Sequence, residues 1–302
     1  MSLPLAWITG AGGLIGSHLV QTAAAFAPGF HVRPLTRADL DLTDANAVRR
    51  LFAQERPSLV LHCAAMSRIA DCEEDPALAE RVNVHATRVL GELSAGIPFV
   101  FLSTDLVFDG RKGSYTETDV VGPLNPYAAT KTRAESAVLA NPLHTVVRLS
   151  LNAGASPRGD KSFTEDMRRA WERGQTLNLF TDEFRNPLPA PVTARALWEL
   201  ALLNRPGIHH LAGAERLSRW EIGELLAARW THLNPRMTPT SLKDYRGPAR
   251  APDTTLDCRK LQALLTFPLP RFSDWLRENP TAALTAPAYF PVNRSNNASA
   301  SR

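Results

Sequence analysis

Cysteine is scarce: Cys63, Cys72 and Cys258 are the three in 302 residues. Three thiols at those spacings build no disulfide framework, so the chain reads as a protein of a reducing compartment. Long hydrophobic runs are missing as well. The longest candidate, 59–66, is interrupted by His62 and falls well short of the ~18–20 residues that a membrane span needs. No Lys or Arg precedes Arg33, which removes the charged start of a secretion signal and leaves a cytoplasmic location as the expectation. The N-x-S triplets at Asn293 and Asn297 then read as chance matches in a polar tail. Metal-ligand spacing is absent: Cys63 and Cys72 have no paired partners, and His209 and His210, adjacent on a strand, would face opposite ways. Neither G-x-x-x-x-G-K-S/T nor G-x-S-x-G occurs, which disfavours a nucleoside triphosphatase and a serine-hydrolase elbow.

What is present is globular. Hydrophobic residues make up 44% and charged residues 21%, which excludes wholesale disorder. Lys and Arg number 34 against 30 Asp and Glu, a mild excess of +4 spread along the chain. That spread fits a small anionic ligand at least as well as nucleic acid, and no nucleic-acid partner is expected. Apolar, β-branched runs at 3–8, 31–35, 58–62, 99–102 and 145–149 alternate with amphipathic stretches at 14–25, 44–54, 76–93 and 126–139. Strand–helix repetition of this kind predicts an α/β fold, a Rossmann-like doubly wound parallel sheet with both faces covered. After residue 150 the rhythm breaks. Residues 151–290 read as a smaller mixed α/β lobe, with segments from about 176–205 returning to the first domain. Helices are expected at 163–173, 193–203 and 219–230, the last with a capping box at Ser218 and Glu221. Trp198, Leu202, Trp220, Leu226 and Trp230 have helical spacing and read as core. Residues 291–302 carry nothing to bury and are expected to be disordered.

The first expected strand runs straight into Thr9-Gly10-Ala-Gly-Gly13-Leu14-Ile15-Gly16. Glycines at G-x-x-G-x-x-G between a strand and a helix allow a tight turn, close approach of backbone N–H groups to a pyrophosphate, and close helix–strand packing. The second expected strand ends in Arg33 and Arg37, where an NAD-binding chain would carry an acid. Arg37, with Arg33 beside it, suits a 2′-phosphate, so NADPH is preferred over NADH. The bland alternative is that both arginines are ordinary solvated residues.

Asn125-Pro126-Tyr127 starts a helix well, and Lys131 follows Tyr127 by four residues on the same face. A neighbouring ammonium lowers a phenol's pKa by roughly 1–3 units, toward a useful range for proton transfer. Taken alone, Y-x-x-x-K is as often a buried tyrosine beside a surface lysine. Upstream, Phe99-Val-Phe-Leu-Ser103-Thr104-Asp105 is a strand ending in two hydroxyls and a carboxylate, at the edge of the sheet where ligands bind. Thr104 is placed there to hydrogen-bond a substrate carbonyl.

Together these motifs resemble the extended short-chain dehydrogenase/reductase superfamily, and within it the dTDP-4-dehydrorhamnose reductase family. The resemblance rests on Thr9–Gly16, Asp41-Leu42-Thr-Asp44, Leu61-His-Cys63-Ala64-Ala65, Val82-Asn83, Ser103-Thr-Asp-Leu-Val-Phe-Asp-Gly110, Pro123-Leu-Asn-Pro-Tyr127 and Lys131. It implies a reductase of a nucleotide-linked 4-keto-6-deoxy sugar, with Tyr127 as proton donor, Thr104 orienting the carbonyl and Lys131 on the nicotinamide ribose. It further implies a cofactor site of Gly10, Gly13, Leu14, Ile15, Gly16, Arg37, Asp41, Leu42, Cys63, Ala64, Ala65, Asn83 and Ser103. Asp105, Phe108, Leu151, Phe163 and Arg185 fall on the substrate side, and a homodimer is expected by analogy. The family's Arg-x-Ser-Trp reads Arg148-Leu-Ser-Leu151 here, its Asn-Phe reads Ser162-Phe163, and its Asp-x-Phe-Gly-x-Pro reads Asp182-Glu-Phe-Arg185-Asn-Pro. Arg185 suits a nucleotide phosphate or a surface salt bridge. The cofactor half therefore matches while the substrate half departs. An epimerase or dehydratase of the superfamily, and a non-catalytic subunit like the β-subunit of methionine adenosyltransferase, are the other readings.

Overall fold

Short apolar runs bounded by turn residues build the centre of the molecule. In the computed structural model, which describes residues 3–284, they form six parallel strands: β1 (Leu5–Thr9), β2 (His31–Leu35), β3 (Leu59–His62), β4 (Phe99–Thr104), β5 (Thr145–Leu149) and, later in the chain, Gly207–Leu211. Every residue of β3, β4 and β5 is buried, as expected for central strands covered on both faces. β2 is an edge strand and carries Pro34, whose missing N–H is tolerated at an edge.

Helices α1 (Leu14–Phe26), α2 (Ala45–Glu55), α3 (Ile69–Glu74), α4 (Pro76–Glu80), α5 (Ala86–Leu93) and α6 (Pro126–Leu139) occupy the crossovers. Asp44 caps α2 by accepting from the N–H groups of Asn46 and Ala47 at 3.0 and 2.9 Å. Asn125 caps α6 through Ala128 N–H at 2.9 Å, with Pro126 in the first helical position. The helix expected over 76–93 is two helices joined by one π-turn, Arg81–His85.

The remaining elements are β6 (Asn152–Ala153), α7 (Phe163–Glu172), β7 (Thr176–Phe180), β8 (Phe184–Arg185), β9 (Leu188–Pro189), α8 (Ala190–Leu203), β10 (Gly207–Leu211), β11 (Leu217–Ser218), α9 (Arg219–Arg229), β12 (Arg236–Thr240), α10 (Arg259–Gln262) and α11 (Phe272–Glu278). The main sheet has the order β2-β1-β3-β4-β5-β10. The chain leaves β1 in one direction to make β2 and then crosses back to make β3, so the strand order reverses between β1 and β3. In open α/β sheets ligands bind at the carboxyl ends of the strands at such a reversal.

The segment that returns to this sheet differs from the expected 176–205. α8 packs on α1, and β10 pairs with β5 from Gly207↔Thr145 to Leu211↔Leu149. β7 instead pairs with β12 in the lobe. Alternation along β1 sends Ile8 to one face of the sheet, with Leu19, Leu61 and Trp198, and Trp7 to the other, with Val60, Phe99, Phe101 and Val138. Each such fully buried side chain contributes roughly 1.5–3 kcal/mol. The lobe has its own core of Met167, Trp171, Ile222, Leu226 and Phe272. Leu202, expected in the core, is 48% exposed near the end of α8. The tail expected to be disordered lies outside the described residues.

Candidate functional site

The glycine loop sits at the carboxyl end of β1. Gly10 has φ +67°, and a Cβ there would meet Ala64 N at 2.6 Å, so both conformation and space demand glycine. A Cβ on Gly16 would meet Gly10 O at 2.3 Å, which holds α1 close to the strand. Gly13 stands at the N-cap of α1, where no side chain caps the first turn and no acid lies in it. Leu14 and Ile15 follow as the first helical residues. A backbone cradle against an uncapped helix N-terminus fits a pyrophosphate.

Arg37 is exposed just past β2 and lies in the field of the Asp41 carboxylate. Arg33, weighed beside it for the same 2′-phosphate, is engaged elsewhere: Nε reaches Glu55 Oε1 at 3.3 Å and Nη1 reaches Asp39 Oδ1 at 4.0 Å. Asp41 accepts from the N–H and hydroxyl of Thr43 at 2.9 and 2.7 Å, and Leu42 is half-buried beside it.

At the end of β3, Cys63 N–H donates to Thr9 O and Ala64 N–H to Thr9 Oγ1, both at 3.3 Å. This ties Cys63, Ala64 and Ala65 alongside the glycine loop. Burial pushes the Cys63 thiol up to about 12, so it carries no thiolate. His62 is buried between the hydroxyls of Thr9 (2.7 Å) and Thr87 (2.9 Å), and burial pushes it down to about 3, keeping it neutral. Asn83, in the π-turn, clasps the loop that follows β3. It accepts from Met66 N–H at 2.8 Å and donates to Met66 O and Thr130 Oγ1, both at 3.0 Å. π-turns of this kind concentrate at functional sites.

Tyr127 and Lys131 are both buried on the inner face of α6. The phenol lies in the field of the Thr104 hydroxyl, which favours its ionised form and partly offsets the effect of burial. Thr104 donates its proton to Asp105 Oδ1 at 3.2 Å and accepts from Leu106 N–H at 3.2 Å. Burial raises the Tyr127 pKa above its ordinary value, and the nearby Asp105 charge adds to the rise. The lysine does not lower it, contrary to the expectation from i, i+4 spacing. Lys131 Nζ donates to Leu102 O at 2.6 Å and lies 3.9 Å from the centre of the Phe101 ring. Burial pushes Lys131 down to about 7. Tyr127 is therefore a protonated phenol in the free protein.

Ser103 points the other way from Thr104, as alternation along β4 requires. Its hydroxyl donates to Glu135 Oε1 at 2.5 Å, so its side chain faces α6 and not the cleft. Glu135 also binds Arg148, Nη2 to Oε2 at 2.7 Å, in a fully buried pair. Arg148 lies 5.0 Å from the Phe108 ring centre, and Phe108 stacks on Tyr115 at 4.1 Å. Phe108 is 0% exposed, so it packs beneath the site instead of touching substrate.

Asp105 is buried as well. Its Oδ2 accepts from Ser150 and Thr254 hydroxyls, both at 2.9 Å, and burial raises its pKa despite Arg185 Nε at 3.7 Å. Arg185 is not a free phosphate ligand or a surface bridge. It is 4% exposed, donates to Phe184 O at 2.6 Å and Ala251 O at 3.1 Å, and is ion-paired with Glu183 Oε1 at 3.1 Å. Leu151 and Phe163 are half-buried against the lobe core, together with Trp220.

Sequence reading missed Glu135, Thr254 and Arg219. Glu135 had a signal, because Tyr127, Lys131 and Glu135 recur every four residues on one helical face. Thr254, 149 residues from Asp105, had none. Among the described residues no group of three or more His, Cys, Asp or Glu is placed to hold a metal, and no helix is long and apolar enough to cross a membrane.

The family model described as RmlD substrate binding domain matches residues 6–283. The dTDP-4-dehydrorhamnose reductase of Mycolicibacterium smegmatis is 32% identical over 294 residues, covering 94% of this chain and 88% of that protein. Methionine adenosyltransferase 2 subunit beta of Rattus norvegicus is 30% identical over 274 residues, covering 85% and 81%. The solved dTDP-4-dehydrorhamnose reductase of Bacillus anthracis, in complex with NADP, has a TM-score of 0.83 at 22% identity, covering 92% of this chain and 98% of that one, which shows the shared fold. The chain belongs to the RmlD substrate-binding domain family and is an NAD(P)-dependent oxidoreductase of the extended short-chain dehydrogenase/reductase type.

Proposed function

We propose that this protein reduces the keto carbon of a nucleotide-linked 4-keto-6-deoxy sugar, with Tyr127 giving the proton to the keto oxygen. The observation that carries the reading is the burial of Tyr127 and Lys131 together on one face of α6, beside Thr104 at the end of β4. The bound nicotinamide supplies a hydride. Gly10, Gly13, Leu14, Ile15 and Gly16 hold the pyrophosphate with backbone, and Arg37 pairs with a 2′-phosphate, favouring NADPH over NADH. Asp41 and Leu42 flank the adenine. Cys63, Ala64, Ala65 and Asn83 form the wall beside it, and Ser103 supports that wall from behind through Glu135. Lys131, which donates to Leu102 O in the free protein, would hold the nicotinamide ribose. Thr104 swings its hydroxyl from Asp105 to the keto oxygen, where it orients the acceptor of the Tyr127 proton. Of the described chain, the residues up to 150, with α8 and β10, make the cofactor domain, and the rest makes the substrate lobe, where Leu151 and Phe163 face the sugar.

The relationship to a methionine adenosyltransferase subunit supports a second reading, an NADP-binding partner of a catalytic subunit. One assay separates the two. Absorbance of NADPH, then of NADH, is followed with dTDP-4-dehydrorhamnose. Oxidation with NADPH preferred is expected. Tight NADPH binding with no oxidation of any nucleotide-linked keto sugar would favour the second reading.

A further inference from the structure

One cation of the lobe is poorly matched. Three guanidinium groups, Arg185, Arg219 and Arg250, share the field of two carboxylates, Glu183 and Asp105. Glu183 is already taken: Arg250 binds it with Nε at 2.6 Å and Nη2 at 2.9 Å, and Arg185 Nη2 stands at 3.1 Å. Asp105 is occupied by Ser150, Thr254 and Arg185. Among the described residues Arg219 has no carboxylate within 4.0 Å and no side-chain hydrogen bond. Its neighbour is the Phe163 ring, 5.4 Å from the guanidinium carbon. The cluster thus carries one positive charge in excess, on the arginine with free donors.

Its place is informative. Arg219 opens α9, and its backbone N–H donates to Glu183 O at 2.9 Å, which fixes the residue at the junction of β8 and β11. It lies in the field of Asp105, whose Oδ1 accepts from the Thr104 hydroxyl at 3.2 Å. Phe163, Leu151 and Trp220 make a half-buried apolar surface on the same lobe. A cation with open donors beside an apolar surface, in the field of the Asp105 carboxylate that holds Thr104, suits an anion attached to a larger ligand.

We propose that Arg219 is the anion-binding residue of the substrate lobe and receives the diphosphate of the nucleotide-linked substrate. The proposal rests on the keto-sugar-nucleotide reading above. Arg219 binds the diphosphate through its planar fork, while Phe163 holds the guanidinium in place by its ring face.

The test is calorimetric titration of the full chain, saturated with NADPH, with dTDP and separately with thymidine. Saturation closes the cofactor site to the probe. Arg219→Gln is expected to weaken dTDP by roughly 10–100-fold, the scale of a charge-assisted hydrogen bond, and to leave thymidine and NADPH unchanged. Arg219→Lys, which keeps the charge but loses the fork, is expected to fall between, and it reads the same site if the Gln variant folds poorly. Equal dTDP affinity in wild type and the variants would overturn the role of Arg219 while leaving the keto-sugar reading standing. A wild-type protein that turns over a keto sugar but binds neither dTDP nor UDP would overturn the diphosphate assignment. Absence of both binding and turnover would remove the reading on which it rests.

Discussion

The buried Glu135–Arg148 pair offers a sharp test of how the site is held. Both side chains are 4% exposed, and Arg148 reaches Glu135 with Nε at 3.0 Å and Nη2 at 2.7 Å. The same carboxylate takes the Ser103 hydroxyl, one residue before Thr104. Glu135→Leu leaves the guanidinium with only the Phe108 ring at 5.0 Å and His210 Nε2 at 3.4 Å. Burial pushes His210 down to about 3, so it stays neutral and offers no charge compensation. An uncompensated buried charge costs about 3–5 kcal/mol, a large share of a total stability of roughly 5–15 kcal/mol. Arg148→Met leaves a buried carboxylate that keeps the Ser103 hydroxyl, so its cost should lie at the lower end of that range. The double variant removes both charges and both desolvation costs, and should lie within about 1–2 kcal/mol of wild type. The double-mutant cycle then gives a coupling of at least about 3 kcal/mol. Urea unfolding followed by far-ultraviolet circular dichroism reads all four proteins. Additive losses, or a Glu135→Leu cost below about 1 kcal/mol, would refute the reasoning.

Further predictions follow from the cofactor half. Gly10→Ala combines φ +67° with a Cβ 2.6 Å from Ala64 N, so it should destabilise the chain by about 1–2 kcal/mol from conformation alone and weaken NADPH binding; unchanged affinity by fluorescence titration would count against the cradle. Burial holds Lys131 at about 7 in the free protein, far below the ordinary lysine value. An anionic cofactor beside it favours the charged form, so NADPH binding near pH 8 should take up protons, and Lys131→Met should abolish the uptake; calorimetry in buffers of different ionisation heat measures it. The same depressed value makes the unfolded chain bind more protons than the folded one between about pH 7 and the ordinary lysine value of 10.5, so the cost of burying this ammonium is full below about pH 7 and is relieved as pH rises through that window. Arg37→Ala should weaken NADPH at least ~10-fold and NADH little, and equal weakening would remove the 2′-phosphate contact.

Local chemistry carried most of the fold. The strands that became β1, β3, β4 and β5 announce themselves as apolar runs, and Asp44, Asn125 and Ser218 cap their helices from within three residues. Ser218 and Glu221 form the expected capping box. β10 was harder to assign to the main sheet because two buried histidines interrupt its apolar pattern; His210 satisfies Tyr115 O, 95 residues away, at 3.0 Å. The glycine loop was legible for the same local reason, since turn, close approach and packing act over seven residues. Long-range partners were not. Arg185 looked like a free cation until Glu183, Ala251 and Asp105 enclosed it. Spacing put Lys131 beside Tyr127 on the helix, but it could not show that Leu102 O and the Phe101 ring draw the ammonium away.

The central claim is that the Tyr127 phenol supplies the proton. Tyr127→Phe removes one oxygen and leaves the ring, Thr104 and the glycine cradle in place. NADPH affinity by fluorescence titration and NADPH oxidation with dTDP-4-dehydrorhamnose, measured on the same preparation, test the claim directly. The account predicts affinity within a few-fold of wild type and turnover lower by at least ~10²-fold. Turnover retained in Tyr127→Phe would contradict it.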